Sequence, residues 1–264
     1  MIRYDHDDGH RFVKARENMD TAPRGVPATV ESVSEDKVSL KCDGVRQFYE
    51  QEESNQSFHQ YLKSWGGEWM WRDLRLHEDP SWVAECLKNK TLVCVTDGSY
   101  MKGRAPNLCS AGWVMACKQT RRHICGTLVE RSESADSYRG EMLGMLAIRL
   151  FLLAVEEYYG VITSGNDVCC DNKGALYTFE KKSKRVPAGK SNTDILRVLR
   201  TVNSRMKSNF VQHHVKGHQD EYIKASRLSW EAKLNCFYNK IAKKAIESHL
   251  NNVALGDTHQ SHGL

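Results

Sequence analysis

Leu92-Val93-Cys94-Val95-Thr96-Asp97-Gly98-Ser99 decides how the rest of the chain is read. The run is apolar, rich in β-branched residues and too short for a helix, so it reads as a buried strand. It ends on a single carboxylate, Asp97, followed by Gly98. Asp-Gly is a strong turn signal, because the Asp side chain accepts from the backbone amides that follow it. The alternative is a metal ligand carried on a rigid support, and the two are separated only by what lies downstream.

Two more strand-like runs follow, 111–117 and 123–130, joined by the basic turn residues Lys118, Arg121 and Arg122; short connections predict an antiparallel meander. Ser134-Ala-Asp-Ser-Tyr offers N-caps, and from Tyr138 to Tyr158 the pattern becomes helical and apolar on most sides. Gly140 and Gly144, four apart, allow close approach to another element. Glu141 shares a stripe with Met145, Ile148 and Leu152 and so points at the packed side, where a carboxylate is costly unless a cation or donor meets it. Arg139 and Arg149 on the same helix are not three or four residues away, so an intrahelical ion pair does not explain it.

Asp167-Val-Cys-Cys-Asp171-Asn172 repeats the opening form, a short buried strand that ends on an acid. Because it follows a long helix, it is expected parallel to the first strand through a strand–helix–strand crossover. Asp97 and Asp171 then lie side by side at one sheet edge, with Glu141 in reach. Three convergent carboxylates repel one another and call for bound cations, and an all-oxygen set favours magnesium or manganese over zinc. Further on, 191–206 has amphipathic helical spacing with a cap at Ser191 or Asn192, 209–215 returns to strand, and a last helix is expected over 229–248. Three histidines at 213, 214 and 218 lack the partners of a zinc finger.

The composition narrows the classes. With 264 residues, 40% of them hydrophobic, the chain has material for one large domain or two modest ones. No apolar run reaches the roughly 18 residues of a membrane span, and the N-terminus is too polar for a signal peptide, so an intracellular protein, cytoplasmic or nuclear and without a membrane partner, is expected. Nine cysteines contain no Cys-x-x-Cys pair, and those within apolar runs read as reduced structural thiols. Residues 1–90 carry 13 Lys/Arg and 17 Asp/Glu, whereas 91–264 carry 25 and 16. The basic part is therefore the one expected to meet a polyanion. It is densest at 173–207, a run that is either a nucleic-acid contact or a solvated face.

The N-terminal part carries no recognisable chemistry. Residues 1–27 read as a loose leader and 28–49 as a hairpin, with a short amphipathic helix over 56–71. Trp65, Trp69, Trp71 and Trp82 either stack on bases or anchor a small appended module, and anchoring is the simpler reading. The organisation expected is a leader over 1–27, a small α+β appendage over 28–89, a catalytic-type domain over 90–250 and a flexible tail over 251–264.

The ordered set Val-Thr-Asp97-Gly-Ser99, Ser-Tyr-Arg-Gly-Glu141-Met-Leu, Cys-Asp171-Asn172, His-Val-Lys-Gly-His218-Gln-Asp and Leu-Asn235-x3-Asn239 resembles the type 1 ribonuclease H family, in particular the version carried by retroelement polyproteins. The resemblance spans about 160 residues, 91–250, and leaves 1–90 aside. It implies an α/β fold with a mixed five-stranded sheet, antiparallel meander plus parallel strands, flanked by helices. It also implies hydrolysis of the RNA strand of an RNA/DNA hybrid with two Mg2+ ions, for which Mn2+ substitutes, and is compatible with an upstream reverse transcriptase; the sequence leaves the oligomeric state open, a monomer being the favoured expectation. By the resemblance Asp97, Glu141, Asp171 and the position of Asn239 are metal ligands and His218 is a mobile catalytic residue. Ser99, Asn172, Lys181, Lys182, Lys184, Arg185 and Lys190 fall where the nucleic acid is held.

Asn239 departs from the pattern, since the family usually places a fourth carboxylate there. An amide offers a carbonyl oxygen but no charge. The expectation is a reduced but real hydrolase; the alternatives are a domesticated or decaying element that binds nucleic acid without cutting, and an integrase or transposase on the same sheet.

Overall fold

Two antiparallel hairpins open the chain, β1 (Ile2–His6) with β2 (Gly9–Val13) and β3 (Thr29–Ser34) with β4 (Lys37–Lys41). The computed structural model describes these four segments and residues 57–63, 68–76, 78–180 and 191–260. The second hairpin is the one expected over 28–49. The first occupies part of the segment read as a loose leader, whose short alternation around Ile2 and Tyr4 is diluted by charge.

The chain divides into compact units between Gln56 and Ser57, not near Asn89. The reason is aromatic packing. Helices α1 (Phe58–Lys63), α2 (Glu68–Trp71) and α3 (Ser81–Lys88) belong to the larger unit. Phe58 lies 5.3 Å from the ring of Phe151, and Trp71 lies 6.2 Å from Trp113. Trp71 and Trp82 are buried anchors in one apolar cluster with Met142, Leu146 and Leu150; Trp69 is exposed, and Trp65 is outside the described residues.

The larger unit is built on β5 (Leu92–Tyr100), β6 (Leu108–Cys117) and β7 (His123–Arg131), then α4 (Ser137–Tyr159), β8 (Ser164–Cys170), α5 (Lys173–Glu180), α6 (Thr193–Arg205), β9 (Asn209–His214) and α7 (Trp230–Gln260). The sheet runs β7-β6-β5-β8-β9, antiparallel in the first three strands and parallel from β5 through β8 to β9. This is the mixed five-stranded sheet, antiparallel meander plus parallel strands, expected from the sequence. The tail expected to fray after Asn251 continues as helix to Gln260, with neither Pro nor Gly before Gly256 to stop it.

Alternation along β5 sets the two faces. Leu92 and Cys94 join the core under α4, whereas Val93 and Val95 join Tyr238, Leu234 and Ile241 of α7. Gly140 and Gly144 let α4 settle onto the sheet: a Cβ at Gly144 would stand 1.9 Å from Thr96 Oγ1, and one at Gly140 would stand 2.7 Å from the Ser110 carbonyl oxygen. On the other face Ser110 Oγ donates to the Ala242 carbonyl at 2.7 Å and Asn235 Nδ2 donates to that of Thr96 at 3.4 Å. These contacts fix where both helices cross the end of β5.

Candidate active site

Strand register places the first two acids. Val95 is level with Cys169 on the neighbouring parallel strand, so two residues further on each chain Asp97 and Asp171 end side by side, as the crossover predicts. The third comes from α4. Asp136 caps that helix by accepting from Arg139 N at 2.6 Å, which holds the first turn in place. Gly98 then admits the helix backbone, since a Cβ there would fall 2.4 Å from Glu141 N. Glu141 and Asp171 lie close enough, with Cys170 between them, for one ligand atom from each to sit within 4.8 Å of the others.

Asp97 and Glu141 are kept from solvent, 1% and 4% exposed, whereas Asp171 is half-buried. Burial, and next the neighbouring Asp171 charge, push the Asp97 carboxyl up to about 8, against the pull of Lys243 and of the Asn235 and Asn239 amides. Glu141 is raised well above the ordinary range by burial and then by the charges of Asp97 and Asp171. Asp171 is raised by burial, with a hydrogen bond to Glu141 and the nearby His218 and His214 opposing the rise. Burial and mutual repulsion thus raise all three acids, and a bound cation would relieve both.

The chemistry of the donor set fits such a cation. Asp97 Oδ2, Asn235 Oδ1 and Asn239 Oδ1 are buried with no hydrogen-bond donor, and orphaned buried oxygens of this kind are rare in native proteins. Asp97, Glu141 and Asp171 supply carboxylate oxygens, and Asn239 adds a neutral carbonyl oxygen. Hard oxygens in this number suit magnesium or manganese.

His218 stands on an exposed loop with a left-handed backbone, φ 53°. Its Nδ1 is 3.1 Å from Glu221 Oε1 and its Nε2 is 3.5 Å from Asn239 Nδ2. Asp220 is occupied by Lys240 at 2.6 Å. Neither Asp220 nor Glu221 therefore supplies the charge missing at Asn239. Ser99 is buried, and Asn172 Oδ1 accepts from Ala175 N at 3.1 Å, capping α5. Lys181, Lys182, Lys184, Arg185 and Lys190 are outside the described residues.

Two residues near the acids carry roles that sequence reading did not assign. Arg139, buried within the Ser-Tyr-Arg-Gly-Glu segment, donates to both oxygens of Glu130, to both of Asp194 and to Asn192 Oδ1. It ties β7 and α6 to the turn that carries Glu141. Cys170, read as a small hydrophobe, donates its S–H to Glu141 Oε2 at 3.4 Å. Its place immediately before Asp171 was the only sequence signal for that.

No family model and no curated protein matches the chain. Solved structures do align with it. The solution structure of the PFV RNase H domain aligns at TM-score 0.42 and 15% identity, over 58% of this chain and 93% of that one. The N-terminal RNase H domain of Rv2228c from Mycobacterium tuberculosis, solved as a fusion with maltose binding protein, aligns at 0.37 and 14%, over 61% and 97%. The prototype foamy virus protease-reverse transcriptase aligns at 0.41 and 18%, over 58% of this chain and 20% of that one. These likenesses are too distant to carry residue roles across, and the chemistry of the site rests on its own residues.

Proposed function

We propose that the chain is a metal-dependent endoribonuclease that hydrolyses the RNA strand of RNA/DNA hybrids, of retroelement descent and linked to a reverse transcriptase. The observation that carries the reading is the convergence of Asp97, Glu141 and Asp171 around buried oxygens that lack donors. The ordered motifs around these acids supply the choice of substrate.

In this reading Asp97, Glu141 and Asp171 hold two divalent cations, which when bound activate a water and stabilise the leaving 3′ oxygen of the scissile phosphate. Asp97 is the central ligand because β5 fixes it beside Asp171 while α7 covers its other side. Glu141 is set by Gly98 and by the capped first turn of α4. With its proton on Nδ1, His218 donates to Glu221 and presents the Nε2 lone pair on the side of Asn239, as a proton acceptor at the site requires. Recognition through backbone shape and 2′-hydroxyls makes cleavage tolerant of sequence. The basic segment 181–190 is assigned to the DNA strand.

Asn239 favours one second reading, a protein that binds hybrids without cutting them. A labelled RNA/DNA hybrid, with duplex DNA and duplex RNA beside it, incubated with Mg2+ or Mn2+, separates the two. We expect cleavage of the hybrid alone, its loss in Asp97→Asn, and hybrid binding kept in that variant. Absence of cleavage by wild type and by Asn239→Asp with either ion would overturn the hydrolase and leave the binder.

A further inference from the structure

We propose that Glu141, Cys170 and Asp171 form a mixed sulfur–oxygen site for a thiophilic divalent cation, Zn2+ or Cd2+, which competes with Mg2+ for the same carboxylates. The proposal rests on the reading of Glu141 and Asp171 as cation ligands, but not on the choice of substrate.

The geometry is that of a pocket of ligands with one odd member. Carboxylate oxygens of Glu141 and Asp171 and the sulfur of Cys170 lie within 4.8 Å of one another, a spread that one ion can span with small rotamer changes. The sulfur already faces this space. It donates to Glu141 Oε2 at 3.4 Å and accepts from Asn172 N at 3.3 Å. Near Glu141 stands Asp97, whose Oδ2 is buried without a donor; its charge and that of Asp171 both act on Glu141. The cluster therefore has a buried acceptor without a donor next to Glu141 as well as a soft donor of its own.

Ligand softness decides which ion uses the thiol. Mg2+ and Mn2+ take the oxygens and leave sulfur aside, whereas Zn2+ and Cd2+ take thiolate, cysteine giving up its proton to solvent as the metal–sulfur bond forms. The substitution at Asn239 sharpens the contrast. A hard ion depends on carboxylate charge, and one charge is absent there, while the sulfur contribution is untouched.

The test is titration of Cd2+ into the reduced full-length chain, read by the sulfur-to-cadmium charge-transfer absorption. Wild type, Cys170→Ser and Glu141→Gln are compared, each checked for folding by circular dichroism, without and with excess Mg2+. We expect a tight band in wild type that excess Mg2+ diminishes. Cys170→Ser should weaken Cd2+ binding at least about tenfold, since loss of a direct ligand costs no less than loss of a group supporting one. Mg2+ affinity in that variant should stay within about twofold, because a hard ion does not use the thiol and the serine hydroxyl keeps a donor for Glu141.

A band of equal strength in Cys170→Ser, or one that neither Mg2+ nor Glu141→Gln alters, would place the cadmium on other cysteines and overturn the proposal. The Mg2+ competition uses wild type alone, so a misfolded variant does not rescue it. Cadmium binding through Cys170 in a chain that cleaves no hybrid would uphold this site and refute the hydrolase, whereas hybrid cleavage without such binding would do the reverse.

Discussion

Asn239 and His218 meet across the site: Asn239 Nδ2 is 3.5 Å from His218 Nε2, while Asn239 Oδ1 is buried without a donor. The amide thus holds an unsatisfied acceptor near Asp97, where the proposed cation would bind. Asn239→Asp exchanges that neutral oxygen for a charge beside Asp97. Without metal, the variant is expected to be less stable by about 1–3 kcal/mol, as for other buried groups left unpaired. With metal, the half-saturating Mg2+ concentration falls about tenfold or more, which needs only ~1.4 kcal/mol of added attraction. Thermal melts across a Mg2+ series check both; a variant that is stabilised without metal would show that no cation site exists at this position.

The pH dependence of the metal-free protein follows from Asp97. Its carboxyl is raised from 3.8 to about 8 by burial and then by Asp171, so between those values the folded state binds more protons than the unfolded one. Stability then falls as pH rises through that window, with its full contribution present below about pH 4 and lost by about pH 8. Asp97→Asn removes the titrating group and is expected to stabilise the metal-free chain at pH 8 by about 1–3 kcal/mol. Mg2+ restores the charged form and reverses the order, wild type gaining more than the variant. Urea melts at several pH values measure this, and a wild type that grows more stable from pH 5 to pH 8 without metal would contradict it.

Two buried arginines on α4 are expected to respond in opposite directions. Arg139 is met by Glu130 and Asp194, so Arg139→Met leaves Glu130 unpaired and costs about 3–5 kcal/mol. Arg149 is equally buried but rests over Phe210 and donates to Met206 Sδ, with no acid paired to it among the described residues. Burial lowers its guanidinium to about 10, the mark of a charge that gains little from its surroundings. Arg149→Met should be neutral or stabilising by about 1–3 kcal/mol. Denaturant unfolding of the pair decides it; equal losses would mean that Arg149 has a partner too.

The sheet, its direction changes and the three acids were legible because they depend on short-range signals: β-branched runs, a helical stripe and a crossover whose handedness is set. The place of Phe58, Trp71 and Trp82 was not, because their partners Phe151 and Trp113 are far away in sequence and aromatic anchoring leaves no period. Arg139 was visible only as a residue that Glu141 does not pair with. Its true partners, Glu130 and Asp194, come from a strand and a helix that meet only in three dimensions. Cys170 illustrates the same limit at one position, since strand alternation predicts its burial but not that the buried face ends beside Glu141.

Gly217 offers a test of the His218 loop that is separate from the acids. A Cβ at Gly217 would stand 2.3 Å from Asp171 Oδ2 and 3.2 Å from its Cγ, so alanine forces either the carboxylate or the loop to move. Asp171 is short and held by Glu141, and the loop through Gln219 is partly exposed. The loop is therefore expected to give way, carrying His218 from the site. In Gly217→Ala the cleavage rate should fall about tenfold to a hundredfold, the usual consequence of a misplaced catalytic group. Stability should fall by no more than about 1–3 kcal/mol, as for other positions where an added methyl forces a backbone shift. Gly103→Ala is the matched control, because nothing lies within 4 Å of a Cβ there. Single-turnover cleavage of a hybrid by both variants gives the answer: a Gly217→Ala rate equal to that of wild type would remove His218 from the mechanism, whereas a slow rate with unchanged hybrid affinity ties the loop to the chemical step.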